Sequence, residues 1–187
     1  MRLQAVTIAA ALLCADALAA ESYSVDPRHT YPVFEVSHLG FSTQRGRFNK
    51  TAGKIVLDRA ASSGSVDIVV DVSSIDMGFE KWDAHLKSED FLDAAKYPEM
   101  RFSSKALRFT DGRLTGVEGE LTLHGVTRPL ALQVTHFHCG VQVTTKREAC
   151  GADALGTIRR SEFGITKFLP AVGDEIKLRI AVEAFRD

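Results

Sequence analysis

The side chains able to do chemistry are plentiful in this sequence, but they are not arranged for it. The chain holds 6 histidines, 24 aspartates and glutamates and 3 cysteines, so accidental acid–base pairs are unavoidable. None has a diagnostic spacing. There is no GxSxG elbow to raise a serine nucleophile, no HExxH to place two histidines and a base on one helix face, and no glycine loop with lysine to cradle phosphate. Ser161-Glu162 and Glu89-Asp90 read as a solvated strand and a helix start. The expectation is a protein that is not an enzyme. The competing reading is a site assembled from residues far apart in sequence, with His38 as its first candidate.

Two cysteines, Cys139 and Cys150, lie beyond the N-terminal segment that carries Cys14. The stretch between them, GVQVTTKREA, is short and polar. In an oxidising compartment such a pair forms a disulfide, which for a loop of this size contributes about 2.5–3 kcal/mol. His136 and His138 directly precede Cys139, so a metal site is the alternative. A disulfide without metal is the preferred reading. Basic and acidic residues balance, 23 against 24, and no basic stripe marks a nucleic-acid partner.

Positioning begins with the chain start. Met1–Ala20 has a positive residue, Arg2, then an apolar run too short to span a bilayer, then Ala17-Leu18-Ala19. This is the pattern of a secretory signal peptide, and it predicts export to a periplasm. Residues 21–187 then suit one domain.

That domain reads as all-β. Apolar and polar residues alternate along Val66–Val72, Leu121–Leu123, Leu130–Val134 and Ile176–Val182, which marks antiparallel strands with one wet face. Turn signals at Asp58–Gly64, Asp111-Gly112, Gly125–Pro129 and Gly173-Asp174 separate them. About eight strands are predicted, over 23–38, 44–58, 64–76, 100–110, 113–124, 129–138, 154–165 and 175–186. Eight strands with one inward apolar face can close into a barrel and so remove their edges. A two-sheet sandwich is the other architecture. One helical insertion, near residues 79–97, interrupts the strands and is predicted to cover one end. Trp82 opens it, Ser88 reads as a helix N-cap with acids in the first turn, and Pro98 stops it. Alternation puts Phe34, Val36 and His38 on one face, so an inward His38 near its strand end could meet a ligand's head. His124 falls on a polar face, His85 could belong to either side of the helix, and His29 reads as exposed.

Four segments resemble the YceI-like, or polyisoprenoid-binding, family of secreted bacterial proteins. They are VFEVSHLGFSTQRGRF (33–48), DAHLKSEDFLDAAKYPEMRF (83–102), GELTLHGVTRPLALQV (119–134) and CG…KREACGADALGTIRRSEFGI (139–165). Order and spacing also match. Leu92 departs from the pattern, since many members carry an aromatic residue there. The resemblance implies a lipocalin-like antiparallel barrel whose channel holds an isoprenoid or similar amphiphile, such as a polyprenyl phosphate or a quinone, with no cofactor of its own. For the ligand tail the expected residues are Phe34, Val36, Phe48, Trp82, Leu86, Phe91, Phe102, Leu121, Leu123 and Phe163. For the head they are His38, Arg45, Arg47 and Lys167. Burial of each tail methylene is worth about 0.8 kcal/mol.

Two functions compete beside the enzyme reading. The first is a periplasmic carrier or reservoir for a long apolar lipid, with transient membrane contact. The second is a non-catalytic interaction or stress-response module that partners a membrane redox complex and uses the barrel as a scaffold. Pairing of two barrels through an outer face would give a homodimer.

Overall fold

The computed structural model describes residues 20–187; the expected signal peptide lies outside these, but for its last residue. Eleven strands and one helix follow in chain order: β1 (Glu21–Val25), β2 (Tyr31–His38), β3 (Ser42–Phe48), β4 (Thr51–Asp58), β5 (Ser63–Asp71), β6 (Ile75–Asp76), α1 (Glu80–Lys87), β7 (Glu99–Thr110), β8 (Arg113–Leu123), β9 (Val126–Val141), β10 (Glu148–Arg159) and β11 (Val172–Arg186). The strands pair β1-β4-β5-β7-β8-β9-β10-β11, and β11 returns to β1. This ring of eight is the closed antiparallel barrel the sequence predicts.

The three extra strands arise because three predicted strands are broken. β11 pairs through its C-terminal end with β1 and through its N-terminal half with β2. β3 and β4 follow in the same manner, pairing β2 and β1. The first break falls at Asp26-Pro27, where proline has no N–H to give a ladder. There the Asp26 carboxylate accepts from the Arg28 backbone N–H at 3.1 Å and approaches the His29 ring at 2.8 Å, and His29 is exposed as predicted. The second break is at Asn49-Lys50. The third is a 3₁₀ turn over Val72–Ser74, capped by Asp71. The strand expected over 154–165 starts earlier and ends at Arg159, and a 3₁₀ turn carries the chain through Phe163.

Two tight hairpins use the residues their geometry demands. Asp111-Gly112 and His124-Gly125 both have positive φ at each central position, the primed turn that matches strand twist. His124 is therefore a turn residue and not a member of a polar strand face. Its Nδ1 lies 3.1 Å from the Phe163 carbonyl oxygen.

The insertion is shorter than predicted. Only Glu80–Lys87 is helical, and residues up to Pro98 form turns. Ser88 ends this helix instead of starting another, donating its hydroxyl to the His85 carbonyl at 2.7 Å. A hydroxyl can serve either end of a helix, and the residues after Ser88 fold into turns instead of a second helix. α1 follows β6 at one end of the barrel, the mouth. At the opposite end, the floor, Tyr23, Leu57, Cys150 and Ala184 pack together.

Candidate functional site

The inward face of the barrel is apolar but not filled. Phe34, Ile68, Leu121, Ile158, Leu178 and Ile180 all face inward yet stay only partly buried. They border a cavity of about 560 Å³ that runs from His38, Leu39 and Val172 at the mouth to Tyr23, Leu57 and Ala184 at the floor. This is the size of a small-molecule site, and its make-up, apolar with a few polar groups, is the usual one.

The strand period of two decides which residues reach it. Of the ten expected tail residues, nine line the cavity: Phe34, Val36, Phe48, Trp82, Leu86, Phe91, Phe102, Leu121 and Leu123. Trp82 does so only at the rim, being 42 % exposed. Phe163 does not line it. It lies in the 3₁₀ turn, 1 % exposed, packed in the core beneath the mouth.

Of the expected head residues, His38 lines the mouth, its ring 6.5 Å from that of Trp82. Arg45 and Arg47 do not face the cavity. On β3 Phe48 points inward, so Gly46 and Gln44 do as well, and the arginines between them project outside. Arg45 bonds Glu35 at 2.8 Å. Arg47 approaches Asp76 at 3.6 Å and stacks on Tyr31. Lys167 sits near the mouth but is held by Asp90, 3.1 Å away. Hydrogen bonding from Lys167, then from His85, holds the Asp90 carboxyl below its ordinary range. His85 belongs to the inner side of the helix, its ring edge-on to Phe91 and Phe168.

Sequence reasoning missed Gln44, Met77, Phe168 and, above all, Arg160. All four line the cavity. Arg160 continues the inward parity of Ala154, Gly156 and Ile158 beyond the end of β10, so its orientation could be read from the pattern. Its side chain is 5 % exposed and donates to the carbonyls of Gly173, Ile165 and Val172 at 2.9, 3.0 and 2.9 Å. Its guanidinium carbon is 5.9 Å from the centre of the Phe91 ring. Burial lowers the Arg160 pKa from its ordinary value, with Asp174 opposing. Thr51 is also buried on the cavity wall, and its hydroxyl has no hydrogen-bond partner among the described residues.

Two inward glycines shape the wall. Gly46 stands opposite Phe34, and a Cβ there would lie 2.5 Å from the ring's Cζ. A Cβ at Gly119 would lie 2.8 Å from Cζ of Phe102. Each ring therefore lies back against glycine backbone, where no side chain props it out.

Cys139 and Cys150 sit directly opposite each other on β9 and β10 and form the disulfide. Neither is then available as a thiolate for the metal alternative. Among the described residues no group of three histidine, cysteine or carboxylate side chains could hold a metal ion.

Comparison with known proteins agrees with this geometry. The family described as the YceI-like domain matches residues 23–184. A UPF0312 protein of Pectobacterium carotovorum is 34% identical over 172 residues, covering 91% of this chain and 88% of its own length. Protein YceI of Escherichia coli O157:H7 is 32% identical over 181 residues, covering 95% and 94%. Among solved structures, BcnA of Burkholderia cenocepacia superposes with a TM-score of 0.71 at 23% identity, over 85% of this chain and 98% of that one. A polyisoprenoid binding domain from Saccharophagus degradans superposes with a TM-score of 0.64 at 16% identity, over 89% and 99%. At these identities the two structures show a shared fold.

Proposed function

The chain belongs to the YceI-like family, and we propose that it is an exported, non-catalytic binding protein that carries or stores a long-chain isoprenoid or similar amphiphile in its barrel. The observation that carries this reading is the unfilled, largely apolar channel, with His38, Gln44 and Arg160 at the mouth and Tyr23 and Thr30 towards the floor. A tail of several isoprene units would gain about 0.8 kcal/mol per buried methylene, less the costs of association and ordering. The description of the Saccharophagus degradans neighbour as a polyisoprenoid binding domain supports the same ligand class. Residues 1–20 act as the signal for export, and a disulfide suits an oxidising compartment. Among the described residues no helix is long and apolar enough to cross a membrane.

The mouth carries an unusual share of exposed apolar side chains. Leu39 and Phe41 lie in the β2–β3 turn, Phe79 and Trp82 begin α1, and Phe168 lies in the turn before β11; each is at least 42 % exposed, Phe41 90 %. Large aromatic side chains of this kind settle in membrane interfaces. This rim is the surface through which the protein meets a bilayer when it loads or releases its lipid, with the Lys81–Pro98 segment as the part that yields.

Native mass spectrometry of protein purified from the periplasm without detergent, followed by extraction of the released compound, tests the reading. A discrete adduct with a polyprenyl mass is expected. A clean unliganded mass, with no uptake of added quinone or polyprenyl phosphate, would overturn it and favour the interaction-module alternative.

A further inference from the structure

Arg160 is the single basic side chain buried among the described residues. A buried cation is costly unless an anion or several acceptors compensate it. Here three backbone carbonyls do so, helped by the Phe91 ring and more distantly by Asp174, and no described carboxylate lies within ion-pair distance. The nearby acids are engaged elsewhere. Asp174 accepts from the Ser161 backbone N–H and hydroxyl at 2.9 Å each and lies 3.7 Å from Arg159. Asp90 is shared by Lys167 and His85. A guanidinium has five N–H donors, so three bonds leave two without a protein acceptor.

The position of this charge is equally telling. Val172, whose carbonyl Arg160 holds, pairs with His38 across β11 and β2. Arg160, His38 and Gln44 all line the mouth of the cavity. The wall below them is largely apolar, and the polar groups towards the floor are already engaged, Tyr23 with Glu21 and Thr30 with Glu183, so a ligand whose tail fills the channel brings its head to the mouth.

We propose that Arg160 is the anion-binding group of the site, and that the cargo is a long-chain amphiphile with a phosphate or carboxylate head in preference to a neutral alcohol or ring. This rests on the carrier reading above and narrows its ligand class. The planar fork of donors suits either oxyanion. The ion replaces a carboxylate that the fold does not supply, and the carbonyl contacts keep the guanidinium in place while the channel is empty.

The test compares geranylgeranyl phosphate, geranylgeraniol and inorganic phosphate on the full mature chain by titration calorimetry. The phosphate ester is expected to bind at least tenfold more tightly than the alcohol, and inorganic phosphate at equal concentration to displace neither. In Arg160→Gln that preference should fall to about onefold because the ester loses affinity by more than the alcohol, while Arg160→Lys keeps part of it. A structural role alone would weaken both lipids equally. Equal affinities in the unaltered protein, a preference that survives Arg160→Gln, or displacement by inorganic phosphate would each overturn the assignment. Failure of both lipids to bind would instead overturn the carrier reading. Should Arg160→Gln not fold, the Nε–H resonance of Arg160 in the unaltered protein decides: the ester must shift it and the alcohol must not.

Discussion

The two ends of the barrel solve opposite problems. At the floor nearly every group has a partner. The Tyr23 hydroxyl donates to Glu21 at 2.6 Å, the Asp187 carboxylate takes bonds from Ser22, Ser24 and Lys54, and Arg186 pairs with both Glu21 and Glu148. The disulfide ties β9 to β10 beside Tyr23, Leu57 and Ala184. At the mouth five large apolar side chains face water, against Val141 and Val143 beside the floor, and a buried arginine lacks an acid. The floor closes the ring and holds it. The mouth forgoes local satisfaction, and elements that do so are where binding is found.

If that division is right, the largest stability loss should come from the floor. Tyr23→Ala removes a 2 % exposed ring and should cost about 3–5 kcal/mol, read from urea unfolding. The phosphate-over-alcohol preference of the protein that remains folded should not change. Replacing Cys139 and Cys150 by serine should cost about 2.5–3 kcal/mol, again with that preference kept. Loss of the phosphate-over-alcohol preference in either variant would break the comparison.

Charge changes should also be felt at the floor. Burial and then the Glu21 carboxylate push the Tyr23 pKa up to about 12, above the ordinary value of about 10. A raised pKa stabilises the fold below the unfolded value, so this contribution should disappear as pH climbs from about 10 to 12. Lys54, then Ser22 and Ser24, hold the Asp187 carboxyl well below its ordinary range. Its contribution is present above pH about 4 and is lost as the solution is acidified below that. Thermal unfolding across pH should show both limbs, and Asp187→Asn should flatten the acid one. The smallest stability effect belongs to the mouth. Phe41→Ser together with Trp82→Ser should move stability by about 0.5 kcal/mol or less, yet slow lipid pickup from vesicles severalfold. Unchanged pickup would remove the rim from the mechanism.

Much of this was open to reading in the chain. Alternation with turn residues at regular intervals gave eight barrel positions, because a kink at Asp26-Pro27 or Asn49-Lys50 breaks hydrogen bonds without changing the strand's place in the ring. The outward direction of Arg45 and Arg47 is legible too: an inward Phe48 forces both outward by parity. Arg160 obeyed the same parity in the other direction. What no local pattern contains is the meeting of β10's end with the turn at residues 165–173, and that meeting turns a strand-end arginine into a buried charge. Ser88 misled for another reason, since a hydroxyl beside a helix serves either terminus and its hydrogen bond is decided by neighbours the sequence does not order.

The glycines under Phe34 and Phe102 have a consequence for the kind of cargo the barrel can accept. With both rings folded against bare backbone, these stretches of wall lack the protruding knobs that would index a chain to one register. On the carrier proposal, a wall of this kind would grip by total contact and so would grade ligands by length and thickness more than by their methyl branches. Strict selection would then rest with the entrance, and one protein could serve a ladder of homologues. Gly46→Ala would press on both Met77 Sδ and the Phe34 ring, each within 2.5 Å of the new Cβ, and would push one or both into the lumen like a stop in a cylinder. It should convert that ladder into a cutoff, with long tails excluded and short ones still bound.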